Sequence, residues 1–274
     1  MKILIACDME GITGVTNWDQ VDPGHAEYPR FRRMMTNDVN AAVRGVCDAG
    51  VDEILVTDGH ERGTNILLED LDPCARLVCG DNSPLAMVEG IDQGIDGVIF
   101  IGYHARAGSH NAILDHTWSS RRVANLWLND ILVGEYGLNG AVAGHFNAPV
   151  LMLTGDQTVC AQASELLVSI ETVVVKTAVS RKAAICLPPQ VTEERIQKSA
   201  ILAVKRLQAG EAPKPFIISS PVHITIDFNS SDQADQAALF PGSKRVDGRQ
   251  LTFTAEDMLA AYYAFQAAIA MVSL

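Results

Sequence analysis

The sequence predicts an α/β protein, with a mostly parallel central sheet and flanking helices, followed by a smaller α+β unit toward the C-terminus. Short, nearly continuous apolar runs recur through the first two-thirds of the chain, the pattern of strands covered on both faces. Helical or irregular crossovers separate them, which places helices on both sides of the sheet. Between residues 165 and 190 the pattern shifts to alternating strands and amphipathic helices, so the chain divides into 1–170 and 171–274.

KILIACD (2–8) is the first strand, and it ends in two carboxylates, Asp8 and Glu10, before breaking into glycines. MTNDVNAAVRGVCDAG (35–50) carries Val39, Ala42, Val43 and Val46 at helical spacing, with Gly50 as a C-cap. EILVTDG (53–59), ARLVC (75–79), GVIFIGY (97–103) and PVLMLTG (149–155) are further strands. VANLWLNDILVGE (123–135) reads as a hairpin turning at Asn129-Asp130, and GLNGAVAGHFNAP (137–149) as a close-packed helix. In the last third TVVVKTAV (172–179) is a strand, and VTEERIQKSAILAVKRLQAG (191–210) is an amphipathic helix capped by Thr192. His223, Thr225 and Asp227 alternate with Val222, Ile224, Ile226 and Phe228 in strand period. LTFTAEDMLAAYYAFQAAIAMV (251–272) is a strand tip and a long helix, with Thr254 and Asp257 placed for a capping box.

Composition narrows the function classes. At 48% hydrophobic and 20% charged residues, 274 residues suffice for a sizeable core without disulfide or metal staples. A net charge of -12, with no Lys/Arg cluster, argues against nucleic-acid and anionic-membrane partners, which require basic patches. No run of 18 apolar residues is present, and Asp8 and Glu10 interrupt the N-terminal apolar run before a signal-peptide core would end. The six cysteines form no CxxC pair, so cytoplasmic residence is expected. GxGxxG, GxxxxGK[ST] and GxSxG are all absent, and Cys7 inside an apolar strand is a poor nucleophile.

Polar residues collect where strands end: Asp8, then Asp58 and His60, then Tyr103 and His104, then Asp156. Open α/β sheets bind ligands at that edge, so residues a hundred positions apart can meet there. Asp8 and Glu10, two apart in an extended segment, point to the same side and are costly to desolvate without cations or donors. Taken singly, each of these residues also reads as a solvated or hydrogen-bonded strand end; jointly that reading needs several coincidences at one edge. With Glu135 the set offers five donors, enough for two divalent ions if Asp8 is shared, with Zn²⁺ favoured and Mn²⁺ or Co²⁺ compatible.

CDMEGITG (7–14), TDGH (57–60), SPLAMVEG (83–90), GYHARAG (102–108), DHTW (115–118), GEYGLNGAVAGHFNAPVLMLTGD (134–156), KTAVSRKAAICLPP (176–189) and AEDMLAAYYA (255–264) follow one another in a distinctive order. Together they make the chain resemble the D-aminopeptidase family of dinuclear zinc peptidases, the DppA-like family M55. The resemblance implies two Zn²⁺ per subunit, bridged by Asp8 and further held by Glu10, His60, His104 and Glu135. It also implies a catalytic His116 and a homo-oligomer, a ring-like decamer. The implied reaction is hydrolysis of the N-terminal bond of a short peptide, with D residues preferred, by a water shared between the ions. Asp58 and Asp156 are candidates for holding the substrate amine, and Arg106 for a peptide carboxylate, although a structural ion pair suits Arg106 equally. A dinuclear hydrolase of another amide or a phosphoester, or a non-catalytic metal-stabilised assembly, remain alternatives.

Overall fold

The computed structural model describes residues 1–273. The chain runs β1 (Lys2–Cys7), α1 (Tyr28–Asp48), β2 (Glu53–Asp58), β3 (Ala75–Val78), β4 (Gly97–Ile101), then an irregular stretch to a hairpin of β5 (Val123–Leu128) and β6 (Ile131–Val133). It continues through α2 (Glu135–His145), β7 (Val150–Asp156), α3 (Gln157–Leu167), β8 (Glu171–Ser180), β9 (Ala183–Cys186) and α4 (Pro189–Gln208). It closes with β10 (Val222–Phe228), α5 (Ser231–Ala237), β11 (Lys244–Arg245), β12 (Gln250–Ala255) and α6 (Met258–Ala270).

Seven strands form one sheet in the order β3-β2-β1-β4-β7-β8-β9, parallel throughout except for the β8–β9 hairpin. A second, antiparallel sheet has the order β11-β12-β10-β5-β6. This is the α/β class expected, with the smaller sheet and its helices near the C-terminus. The two sheets do not divide the chain into consecutive segments: β8 and β9 extend the larger sheet, and the 123–133 hairpin pairs with β10 in the smaller one.

The strands alternate their side chains between two cores. Ile3 and Ile5 of β1 pack with Met35, Val39 and Val43 of α1 and Ile196, Ala200 and Val204 of α4. Leu4 and Ala6 face the other way, toward Leu138 and Val142 of α2, Ile224 of β10 and Phe265 of α6. Both faces are therefore dry, which is why β1 reads as an unbroken apolar run.

Several helix boundaries differ from expectation for local reasons. The helix preceding Gly50 begins earlier, at Tyr28, with Pro29 in its first turn, where a missing N–H costs nothing. Likewise α4 starts at Pro189, so Thr192 lies inside it rather than at its cap, and its hydroxyl donates to Pro189 O at 2.9 Å. Asp257 does cap α6, accepting from Ala260 N at 2.8 Å, but Thr254 stays in β12 and forms no box with it. The helix α3 lies outside the elements expected from sequence; Asp156 caps it by accepting from Thr158 N and Val159 N.

A buried polar chain ties α1 and α4 to the loop after β1. The Thr13 hydroxyl lies 2.9 Å from Asp38 Oδ1 and 2.8 Å from Thr192 Oγ1, while Thr13 N donates to Asp38 Oδ2 at 2.8 Å. The Thr192 proton is already given to Pro189 O, so the single Thr13 proton must serve either Thr192 or Asp38. A protonated Asp38 resolves the conflict by donating to Thr13, and burial pushes its carboxyl up to about 6 despite the Thr13 bonds. A pKa raised on folding gives stability that is complete below the unfolded value of about 3.9 and lost as pH rises through the folded value. The Asp38→Asn variant mimics the protonated acid. In urea unfolding it should exceed the wild type by ~1–2 kcal/mol near pH 5, where part of the loss has already occurred, and by ~3 kcal/mol near pH 8. A constant difference across that range would show that Asp38 does not titrate in the folded chain.

Candidate metal centre

The carboxyl end of the large sheet gathers the candidate donors. After β1 the backbone turns tightly over the end of β4, with Asp8 N donating to Ile101 O at 2.8 Å and Gly11 N to Gly102 O at 2.7 Å. A Cβ on Gly11 would lie 1.9 Å from Tyr103 O, and one on Gly102, at φ +75, 2.2 Å from Asp8 O. Only glycines allow this crossing, and the crossing sets Asp8 and Glu10 into the site. The fully buried Lys176 of β8 fixes the same loop from beneath, its Nζ donating to the carbonyls of Glu10, Ile12 and Val15 at 2.6, 2.8 and 2.7 Å.

His60 follows β2, His104 follows β4, and Glu135 opens α2. His60 Nδ1 lies 3.4 Å from Asp8 Oδ1 and 3.1 Å from Glu10 Oε2. His104 Nε2 lies 3.3 Å from Asp8 Oδ2 and 3.0 Å from Glu135 Oε1. Asp8 thus turns one oxygen toward each imidazole, and two groups share its neighbourhood. All five residues are buried. His116 comes from the irregular stretch, its ring stacked on that of His104 at 3.8 Å and its Nε2 3.6 Å from Glu135 Oε1.

Each histidine is oriented by a backbone carbonyl on its other nitrogen. The His60 Nε2–H donates to Val21 O at 2.9 Å, and the His104 and His116 Nδ1–H donate to Ala105 O and Leu114 O at 3.0 and 2.9 Å. A carbonyl only accepts, so in neutral rings the nitrogens facing the carboxylates carry lone pairs, as second-shell bonds arrange for metal-ligating histidines. Trp118 N donates to Glu135 Oε1 at 2.6 Å and fixes that carboxylate too.

These residues fit divalent metal. Asp8 Oδ2, Glu10 Oε2 and His104 Nε2 are buried with no hydrogen-bond partner among the described residues, although they stand close to opposite polarity. Distance without hydrogen-bond alignment is what atoms converging on a common point show. Two ligands about 2.0–2.1 Å from one tetrahedral zinc lie about 3.3 Å apart, and the four contacts of Asp8, Glu10 and Glu135 with His60 and His104 span 3.0 to 3.4 Å. The electrostatics agree. Burial opposes ionisation of Asp8, yet His104 and His60 outweigh it and hold its carboxyl well below the usual range. Burial likewise disfavours charged His60 and His104, but Glu10 with Asp8 for the former, and Glu135 with Asp8 for the latter, raise them well above an ordinary histidine. Cations would displace these protons, so metal affinity falls as pH falls.

Asp8, Glu10, His60 and Glu135 line one cavity of about 930 Å³, which His116, Trp18, Trp118, Arg121 and Arg122 also line, while His104 lies behind it. Asp58 lines it as well, but its oxygens accept from Asn65 N, Asn65 Nδ2 and Ile66 N at 2.5, 2.8 and 2.8 Å, stabilising the loop that carries His60. Asp156 is occupied by the α3 cap and by Ile113 N at 2.7 Å, and neither it nor Arg106 lines the cavity. Sequence reasoning missed Lys176, which in TVVVKTAV resembles an outward strand lysine. It also missed the pair that braces His116: Arg181 Nε donates to Asp115 Oδ1 at 2.8 Å.

The comparisons with known proteins agree with this geometry. The family model described as peptidase M55, D-aminopeptidase, matches residues 1–267. A D-aminopeptidase of Bacillus subtilis (strain 168) is 37% identical over 265 residues, covering 96% of this chain and 95% of that protein. The solved structure of the Zn-dependent D-aminopeptidase DppA from Bacillus subtilis, described as a self-compartmentalizing protease, matches with a TM-score of 0.95 at 36% identity, over 99% of this chain and 97% of that one. Likeness sustained from end to end in sequence and in space has one explanation: the chain belongs to the D-aminopeptidase family of peptidases, M55.

Proposed function

We propose that this protein is a zinc-dependent aminopeptidase that hydrolyses the N-terminal bond of short peptides, with D residues preferred. The observation that carries the reading is Asp8, buried between two imidazoles with one oxygen toward each. Two Zn²⁺ per subunit would be held by Asp8, which serves both, with Glu10 and His60 on one side and His104 and Glu135 on the other. Mn²⁺ or Co²⁺ suit the same donors. Bound there, such ions supply Lewis acidity toward a carbonyl and acidify water.

The chain's own residues supply the rest. His116 keeps its Nδ1 proton on Leu114 O, so Nε2 is free to take a proton from the attacking water and deliver it to the leaving amine. Stacking on His104 and the edge contact with Trp18 at 5.4 Å hold the ring in place. The buried walls of the site limit water around the reacting bond and strengthen its electrostatics. Among the described residues no helix is long and apolar enough to cross a membrane. A cytoplasmic homo-oligomer, a decamer, is the assembly the family relationship supports.

The test is metal content alongside substrate class. Purified protein should hold two zinc ions per chain and cleave D-alanyl peptides faster than L-alanyl peptides or p-nitrophenyl phosphate. Chelation should abolish turnover and lower thermal stability. The loss should be ~4 kcal/mol per zinc site relative to protein in free zinc at a thousand times that site's dissociation constant. Metal-free protein of unchanged stability, or phosphoester turnover exceeding peptide turnover, would overturn the reading.

A further inference from the structure

The wall of the cavity carries a chemistry opposite to that of its metal end. Arg121 and Arg122 line it and no lysine does; its other charged groups are carboxylates and imidazoles. Arg121 is exposed, but Arg122 is half-buried. The Arg122 Nε is shut off from solvent and has no hydrogen-bond partner among the described residues. The sealed Nε is out of a ligand's reach, but the terminal guanidinium nitrogens are not sealed and have no acceptor among the described residues, so they are the atoms open to an anion in the cavity.

The backbone beneath these arginines is firmly held. Arg122 N donates to Ser119 O at 3.1 Å and Asn229 N to Arg122 O at 2.9 Å, while Gln233 Nε2 donates to Arg121 O at 2.9 Å. The same short stretch begins at Trp118, whose N–H holds Glu135. The backbone that carries Arg122 is therefore held relative to the candidate metal ligands.

A chain of net charge -12 repels a peptide carboxylate in general, so an anionic substrate end needs a local cation. An enzyme that cuts at the amino end places that end at the metal site, and the rest of a short peptide then runs along the same cavity. We propose that Arg122 binds the α-carboxylate of the substrate, using the fork geometry by which guanidinium matches carboxylate, and so makes the enzyme selective for short peptides with a free C-terminus. This rests on the aminopeptidase reading and adds a specificity-determining residue to it.

The experiment compares one D-alanyl dipeptide with its C-terminal carboxamide, using zinc-loaded wild type, Arg122→Gln, Arg122→Lys and Arg121→Gln. Wild type should favour the acid. Arg122→Gln should raise KM for the acid by about ten- to a hundredfold, the scale of a charged hydrogen bond, and leave the amide within about twofold. Arg122→Lys should recover part of the acid preference, and Arg121→Gln should have the smaller effect. The amide activity also reports that each variant is folded and metal-loaded. Equal losses on acid and amide, no loss on either, or a wild type indifferent to the two would overturn the assignment of Arg122 alone. A wild type that hydrolyses neither would overturn the peptidase reading together with it.

Discussion

His116→Ala is expected to lower kcat by about 10²–10⁴ while zinc content stays that of the wild type. The expectation follows from how this ring differs from its neighbours. His60 and His104 each stand within 3.4 Å of two carboxylates, whereas His116 approaches only Glu135, at 3.6 Å. Its Nδ1 is committed to Leu114 O, leaving one basic nitrogen at the cavity surface, the arrangement of a proton carrier. The competing role is specific: donor atoms of His104, His116 and Glu135 lie within 4.8 Å of one another, a group able to hold a cation by itself. Elemental analysis beside single-turnover kinetics separates the two. Loss of one zinc equivalent in step with turnover would make His116 a ligand.

Lys176→Met should be the most damaging substitution away from the donors. Burial pushes the Lys176 amine down to about 8 even with Asp156 and other carboxylates nearby, so at neutral pH it is still largely charged. Its three protons are matched by three backbone carbonyls of the loop that bears Asp8 and Glu10. Methionine fills similar space but leaves those oxygens without donors in a dry site. The expected cost is ~3–5 kcal/mol, comparable to breaking a buried ion pair, or about 10 °C in Tm for a chain of this size. Zinc affinity should fall as well, because the loop is no longer held in its ligating shape. Urea unfolding of metal-free protein measures the first effect and competition with a chromophoric chelator the second. Wild-type values in both would remove Lys176 from any role in shaping the site.

What the sequence reveals and conceals has a common physical origin. A strand buried on both faces announces itself by composition, so β1, β2, β4 and β7 and the polar residues just beyond them can be read directly, and those residues do meet at one edge. The destinations of long cationic side chains cannot be read this way. Period-two logic tells which face of β8 Lys176 occupies but not that a loop 160 residues earlier turns its carbonyls toward it. Arg122, in SSRRV, looks like an ordinary surface charge until the fold encloses its Nε. Arg106 stands beside a candidate ligand in sequence, yet the chain path carries it off the cavity wall. Capping suffered similarly: Thr192 has the right chemistry for a helix start, but Pro189 sets the first turn and tertiary contacts put the hydroxyl to another use.

The register of the central strands gives the metal centre one more property. Cys7 is paired with Asp58 on one side and with Ile101 on the other, so Asp8 leaves the sheet between the two strands that deliver His60 and His104. Sliding β1 by a single residue would turn Asp8 to the opposite face, separating it from both imidazoles. Cation binding at this edge therefore presupposes the native register: a slipped β1 would leave the donors apart and forgo whatever stability a bound ion adds to the aligned chain.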